Sequence, residues 1–311
     1  MKITYFAKFN KNKYAEVVEK PISAALKKLG HTVYELDVMT TEAKELIDTA
    51  NKSDIFLFHN GGVVPKAEEG DELTFYMGLN GLLSLLSQIK VRKIMWYLDR
   101  VDGIGDIFMN RTLQFVDHAF LNDDTWVRRH KFENVYGLHL GATERPLGKF
   151  REDLACDIAF VGRVFDGREE VINGLKGMFG GKFKVFSDIW GKDFDDLCQS
   201  AKIIIQPKWL MNDFYWQDQI YHILSSGGFL VHPRLYGLVE EGLEDGNHYI
   251  GFSSLEELVG GIEFFLKPEN NDKRKTLSNK GRTFVNTRLS WEERLKTIFS
   301  VIKNNLIEKQ K

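Results

Sequence analysis

The stretch Asn212–Pro233, NDFYWQDQIYHILSSGGFLVHP, is the most informative in the chain. It reads as a helix that passes through a Gly227-Gly228 joint into a short apolar strand, GFLVHP. On a wheel of about 100° per residue, Trp216, Ile220, Ile223, Leu224 and Gly227 share one face. Tyr215, Asp218, Gln219, His222 and Ser226 share the opposite face. The apolar stripe predicts packing on a sheet. The polar stripe has two readings, a solvated surface or the lining of a ligand site. A surface helix is ordinarily rich in Lys and Glu, and this face has neither, so short hydrogen-bonding groups of fixed reach favour a ligand's hydroxyls.

The same strand and helix alternation runs through the chain on either side. KITYFAKF, HTVYELDV, DIFLFHN, RKIMWYLD, HAFLN and NVYGLHLGA read as strands. Helices are predicted over Tyr14–Leu29, over TTEAKELIDTAN with threonine caps, and around Leu79–Ile89. After the polar segment TERPLGKFREDLA the pattern restarts with CDIAFVG, a helix over Glu169–Met178, KFKVFS, a short helix in DFDDLCQSA, and KIIIQP. HYIGF and the helix SLEELVGGIEFFL follow the opening stretch, with Ser254 placed to cap the latter. A last helix from Trp291 to about Asn305 repeats apolar residues at Leu295, Ile298, Phe299 and Ile302. Strands of this length alternating with helices predict βαβ units and parallel sheets. At 311 residues the chain suits two domains of roughly 150 residues each. The expected division is residues 1–150, residues 151–290, and a terminal helix and tail over 291–311.

Composition narrows the function classes. A formal net charge of -2 leaves no general electrostatic footprint for nucleic acid or a membrane surface. The local run Arg128-Arg129-His130-Lys131 reads as a solvated helix face. Two cysteines without CxxC spacing, Cys156 and Cys198, suggest a reducing compartment rather than a disulfide framework or zinc site. No stretch of about 18 apolar residues occurs, so no membrane span is expected and the cytoplasm is the default location. The loop after the first strand, FAKFNKNKY, has no glycine, which argues against a dinucleotide; GIGD at Gly103–Asp106 is too short and misplaced to rescue one. GxxxxGK[ST], HExxH and GxSxG are all absent. No cofactor and no metal are expected.

What remains is a set of small residues at phosphate-sized turns in the second half. Gly162-Arg163 follows the strand DIAFV, where backbone donors and a guanidinium suit an anion. Gly237 follows FLVHP, and Leu238 is predicted to begin a short helix whose free N–H groups favour a diphosphate.

At this point the chain resembles a known family. The segment from NDFYWQDQIYHILSSGG to GGIEFFL, with the later LSNKGRTFVNTRLSWEERLKTIF, is similar to the CgeB-like glycosyltransferases over about Asp157–Phe299. In the first half the similarity is one of layout only, at DIFLFHNGG, WYLD and VDHAFLNDD. The resemblance implies an α/β protein of the GT-B fold: two Rossmann-like domains facing a central cleft, with a C-terminal helix returning to the first. It implies a nucleotide-diphosphate sugar, a UDP-sugar by preference, held mainly by the second domain. Gly162, Arg163 and Arg168 would then lie near the diphosphate, and Asn212, Asp213, Tyr215 and Trp216 beside the sugar. Asp218, Gln219 and His222 would face hydroxyls, Gly227 and Gly228 would allow close backbone approach, and Gly237 and Leu238 would donate to phosphates. Related retaining enzymes carry two glutamates eight positions apart; Phe214 and His222 stand there in this chain.

The expected chemistry is hexosyl transfer without a metal. Negative charge builds on the departing diphosphate, and Arg163, the helix start at Gly237 and Lys208 are the groups expected to meet it. His59 and Asp99, both at strand ends, are candidate bases for the acceptor hydroxyl if configuration inverts, or orienting groups if it is retained. Glycan, protein, small molecule and modified DNA base remain open as acceptor. A sugar-nucleotide epimerase on the same fold, or a non-catalytic glycan- or nucleotide-binding assembly protein, are the rival readings.

Overall fold

Long apolar runs with little alternation mark strands covered on both faces, and the two halves of the chain each supply one sheet built this way. The computed structural model describes residues 1–9, 16, 18–59, 72–164, 167–207 and 211–308, without side chains for 72–77 and 305–308. It divides into one unit of Met1–Leu140 with Trp291–Lys311 and a second of Gly141–Ser290.

In the first unit, β1 (Lys2–Ala7), β2 (Thr32–Asp37), β3 (Ile55–His59), β4 (Arg92–Tyr97), β5 (His118–Leu121) and β6 (Val135–Gly137) form a parallel sheet in the order β2-β1-β3-β4-β5-β6. All five residues of β3 are buried, as a central strand requires. Helices α1 (Glu19–Lys28), α2 (Ala43–Ala50), α3 (Glu72–Gln88), α4 (Ile104–Thr112) and α5 (Asp124–His130) connect the strands. The threonine caps expected for α2 are not made: the N-cap position is Glu42, and the backbone N–H groups of Thr40 and Thr41 turn back to the carbonyl of Asp37 at the end of β2.

The second unit carries β7 (Cys156–Val161), α6 (Glu169–Phe179), β8 (Phe183–Phe186), α7 (Gly191–Ser200), β9 (Ala201–Ile205), α8 (Gln219–Ser225), β10 (Leu230–Pro233), α9 (Tyr236–Glu240), β11 (Ile250–Phe252), α10 (Leu255–Leu266) and α11 (Asn271–Arg288). Its strands are also parallel, in the order β11-β10-β9-β7-β8. Ile158, Phe160, Ile203, Ile205, Val231 and Ile262 form the heart of its core. Each such side chain contributes about 1.5–3 kcal/mol on burial. Ser254 caps α10 by accepting from the Glu257 N–H at 3.2 Å.

Residues 141–150, read in the sequence as the end of the first domain, lie along the second unit. Lys149 donates its N–H to Asp196 at 2.8 Å and Arg145 pairs with Asp195 at 2.6 Å. A Cβ on Gly148 would fall 2.1 Å from the Asp195 carbonyl oxygen, so only glycine allows the chain to pass. The closing helix, α12 (Trp291–Glu308), belongs to the first unit. It buries Leu295, Ile298 and Ile302, sets Trp291 edge-on to Trp96 and Phe299 against His31, and pairs Glu292 with Lys28 of α1. Among the described residues no helix is long and apolar enough to cross a membrane.

In both sheets the strand order reverses beside the first strand, at β1/β3 and at β7/β9. Open parallel sheets take ligands outside the carboxyl ends of the strands at such reversals.

Candidate functional site

The carboxyl edge of the second sheet is tied together by glutamines. Gln219, the first residue of α8, donates from Nε2 to the Val161 carbonyl at the end of β7 (2.7 Å) and accepts at Oε1 from Gln206 Nε2, one residue beyond β9 (3.1 Å). The side chain expected to face a ligand thus bridges the two strands that flank the reversal. Gln206 is buried, and its Oε1 has no partner among the described residues.

Arg168 lies at the same edge and is only 5% exposed. Its guanidinium reaches Gln217 Oε1 at 2.8 Å and the Arg163 carbonyl at 3.3 Å, and sits 5.6 Å from the Phe160 ring centre. Burial pulls its pKa below the ordinary guanidinium value. Gly162 makes this placement possible: its φ of +136° is in the region that favours glycine, and a Cβ there would stand 3.3 Å from Arg168 Nη1. The Gly162 N–H donates to the Phe186 carbonyl at 2.9 Å. Arg163, ranked ahead of Arg168 in the sequence, is exposed. Lys208 falls outside the described residues.

The opening stretch is shorter as a helix than its periodicity suggests. Asn212 and Tyr215 exchange backbone hydrogen bonds at 3.0 and 3.3 Å, and Asn212 Oδ1 accepts from the Phe214 N–H at 2.9 Å. This is a tight turn closed by the short Asn side chain, and α8 begins only at Gln219. Asp213 is exposed and Tyr215 half-buried in that turn. Trp216, expected beside the sugar, is fully buried and donates from Nε1 to the Tyr221 hydroxyl at 2.9 Å. Asp218 Oδ2 and His222 Nε2 stand 3.2 Å apart, and His222 Nδ1 has no partner among the described residues. Burial raises the Asp218 pKa, but the hydrogen bond and charge of His222 outweigh it, so the carboxyl is held below its usual range.

Three expectations are corrected by this geometry. Gly227 and Gly228 form the C-terminal cap of α8: Gly227, at φ +76°, donates to the Leu224 carbonyl and Gly228 to that of Ile223, both at 2.9 Å. They precede β10 and therefore sit at the amino edge of the sheet, opposite Gln219. Ser226, read as part of the polar stripe, is buried and bonds Asp195 at 2.7 Å. The N–H groups of Gly237 and Leu238 are engaged, with the carbonyls of Asp213 (2.7 Å) and Leu235 (3.2 Å), because α9 already starts at Tyr236. A Cβ on Gly237 would meet the Asp213 carbonyl at 2.6 Å and the Trp216 ring at 2.7 Å.

In the first unit, His59 ends β3 and is buried; its Nε2 stands 3.7 Å from Glu19 Oε1 at the start of α1. Burial lowers the His59 pKa to about 4 and raises that of Glu19 to about 7, the latter opposed by a backbone hydrogen bond and the charge of Lys8. The separation meets an ion-pair distance, yet desolvation favours the neutral form of each group, so near pH 6 this is a contact between neutral partners. The Tyr5 ring is 5.8 Å from that of His59. Asp99, two residues beyond β4, is exposed. Glu19, Tyr5, Gln206 and Gln217 were not singled out in the sequence. The only local signal among them is Gln206, a polar residue closing the apolar run KIII.

Two parallel Rossmann-like sheets, each with its reversal beside the first strand, and a last helix returned to the first unit define the GT-B fold of glycosyltransferases. Residues 154–300 match the model of the family described as Glycosyl transferase-like. The structure is similar to HepE of Anabaena in complex with UDP and glucose, with a TM-score of 0.64 at 10% identity over 98% of this chain and 100% of that one. A glycosyltransferase from Rickettsia africae gives a TM-score of 0.57 at 13% identity, covering 98% of each chain. AviGT4, a glycosyltransferase involved in avilamycin A biosynthesis, gives 0.57 at 10% identity over 99% of this chain and 98% of that one. No curated protein matches the sequence. At these identities the structural likeness establishes the fold, and together with the family match it supports a transferase.

Proposed function

We propose that the protein is a CgeB-like glycosyltransferase that moves a hexose from a UDP-sugar to an acceptor hydroxyl without a metal. The observation that carries this reading is the buried guanidinium of Arg168 across Gly162 at the β7/β9 reversal. A planar cation with several donors, held at a ligand-binding edge in a low-dielectric setting, matches a diphosphate. HepE, whose fold this chain shares, is bound to UDP-glucose.

In this reading Arg168, with the exposed Arg163 of the same loop, stabilises the charge that builds on the leaving diphosphate. Asp218 and His222, locked to each other at 3.2 Å, present Nδ1 and a carboxylate oxygen to hydroxyls of the donor. Gln219 holds the ends of β7 and β9 in fixed register, so that these groups are in place before the donor arrives.

A thermal-shift panel of UDP, GDP, ADP and CDP tests the donor site. Ligand at 100 times its dissociation constant adds about 2.7 kcal/mol, and UDP is expected to raise Tm the most. Arg168→Lys keeps the charge and loses the fork, and is expected to weaken UDP binding roughly 10- to 100-fold, the worth of a charge-assisted hydrogen bond. A Tm unmoved by all four nucleotides refutes the donor site. Analysing the products from UDP-glucose separates the rival reactions: a transferase releases UDP, whereas an epimerase leaves the nucleotide sugar intact with altered stereochemistry.

A further inference from the structure

At the amino edge of the second sheet, opposite the edge that Gln219 ties together, lies a recess of about 710 Å³. Pockets for small ligands have volumes of roughly 300–1,000 Å³. β7 opens onto it at Cys156 and β9 at Ala201, and α11 passes it with Arg274 and Ser278. Phe229, Ala155, Ala201 and the two thiols supply its apolar lining. Burial pushes both thiols up, Cys156 to about 11, so they are uncharged near neutral pH. Phe150 also lines the recess and leaves 63% of its surface exposed. The charged lining is unbalanced. Among the described residues Asp157 is its one carboxylate, and Lys202 already pairs with it at 2.7 Å. Arg274 and Lys275 add two cations. Lys184, which donates to the Ala155 carbonyl at 2.8 Å, brings its charge to bear on the Cys156 thiol. Among the described residues none of these three cations has a carboxylate at ion-pair distance. Arg274 is half-buried, and neutral acceptors alone meet its guanidinium, the Phe265 carbonyl and Asn271 Oδ1 (2.6 Å). Burial pulls its pKa below the ordinary guanidinium value, with only the charge of Asp157 opposing. A cation withdrawn from water without a counter-charge is costly, and an anion entering the recess removes that cost.

We propose that this recess is a second binding site, for a small organic anion with a carboxylate or phosphate head on a flat aromatic body. The head meets Arg274, whose charge is held in place by its bonds to Phe265 and Asn271, and Lys275, whose ammonium is free to follow it. The body lies against Phe150 and Phe229, since aromatic rings pair favourably beyond the area they bury, and against thiols that act as small hydrophobes. The recess is separate from the donor edge. Cys156 begins β7, and Val161, whose carbonyl receives Gln219, ends it, roughly 17 Å further along the strand. The inference therefore stands on the second unit alone and does not require glycosyl transfer.

The test uses the full chain and four probes: phenyl phosphate, benzoate, inorganic phosphate and phenol. Titration calorimetry measures binding, and the rate at which iodoacetamide alkylates Cys156, read by peptide mass spectrometry, locates it. Phenyl phosphate or benzoate is expected to bind and to slow alkylation of Cys156, and the tighter of the two identifies the head group. Phosphate lacks the ring and phenol lacks the charge, so each is expected to bind about 10-fold more weakly or worse. Arg274→Gln is expected to weaken binding roughly 10- to 100-fold. Because Arg274 also holds Phe265 and Asn271, a second variant, Lys275→Glu, reverses a charge at an exposed position that the fold does not use. It is expected to weaken binding about 5- to 10-fold with an unchanged Tm. The proposal is overturned if neither aromatic anion binds below about 10 mM, or if binding leaves the alkylation of Cys156 unchanged. It is also overturned if Lys275→Glu binds as tightly as wild type, or if phenol binds as tightly as phenyl phosphate.

Discussion

Replacing Glu19 by Gln should change how stability depends on pH, and the sign follows from the two displaced groups. His59 is neutral in the folded protein down to a pKa of about 4, against 6.5 in the free side chain. As pH falls from 6.5 to 4 the unfolded chain takes up a proton that the folded one refuses, so stability is lost in that direction. Glu19 behaves oppositely: its folded pKa is about 7 against 4.5. As pH rises from 4.5 to 7 the unfolded chain releases a proton that the folded one keeps, and stability is lost on the way up. At about 1.4 kcal/mol per pKa unit, each effect is worth roughly 3 kcal/mol. In the wild type the two slopes cancel across most of this window, and each substitution exposes the other. Relative to wild type, Glu19→Gln should gain about 3 kcal/mol as pH rises from 4.5 to 7, and His59→Gln should gain about 3 kcal/mol as pH falls from 6.5 to 4. Urea unfolding at constant ionic strength measures both, and taking differences from wild type removes every other titrating group. A Glu19→Gln profile parallel to the wild type would refute the burial argument, whatever the protein's activity.

Two further outcomes follow from the second unit. Gly237→Ala places a Cβ against the Asp213 carbonyl and the Trp216 ring; overpacking of this kind costs about 1–3 kcal/mol, measured by urea unfolding, and a change below about 0.5 kcal/mol would contradict the packing described. Gln219→Leu removes the donor to the Val161 carbonyl and the acceptor for Gln206. It should cost about 1–3 kcal/mol and weaken UDP binding by more than that loss of stability explains, seen as a smaller UDP-induced Tm shift than in a control destabilised equally by Ser254→Ala and a second surface change.

The opening stretch shows where local pattern is informative and where it stops. Ile220, Ile223 and Leu224 are buried as their spacing requires, and β10 follows as the apolar run GFLVHP predicts. Periodicity assigns residues to a face but does not say where a helix starts. Asn212 diverts the backbone into a turn, Trp216 leaves the helical face for the core, and α8 keeps only seven residues. The glycine pair was legible as a joint. Its place at the amino edge, away from Gln219, follows only once the strand direction is known.

By itself the sequence determined the class of architecture, because buried strands, amphipathic helices and the Ser254 cap are properties of neighbouring residues, and the parallel sheets follow from their alternation. The apolar spacing of Leu295, Ile298 and Ile302 likewise marked the last helix as packed along one face. Tertiary structure alone decided which arginine is buried, since Arg163 and Arg168 are equivalent as letters and differ in how the loop folds over Gly162. It alone brought Glu19 to His59 and Gln206 to Gln219. Those residues are far apart or unremarkable in the chain, and the displaced pKa values of the first pair arise from desolvation, which only the packed structure imposes.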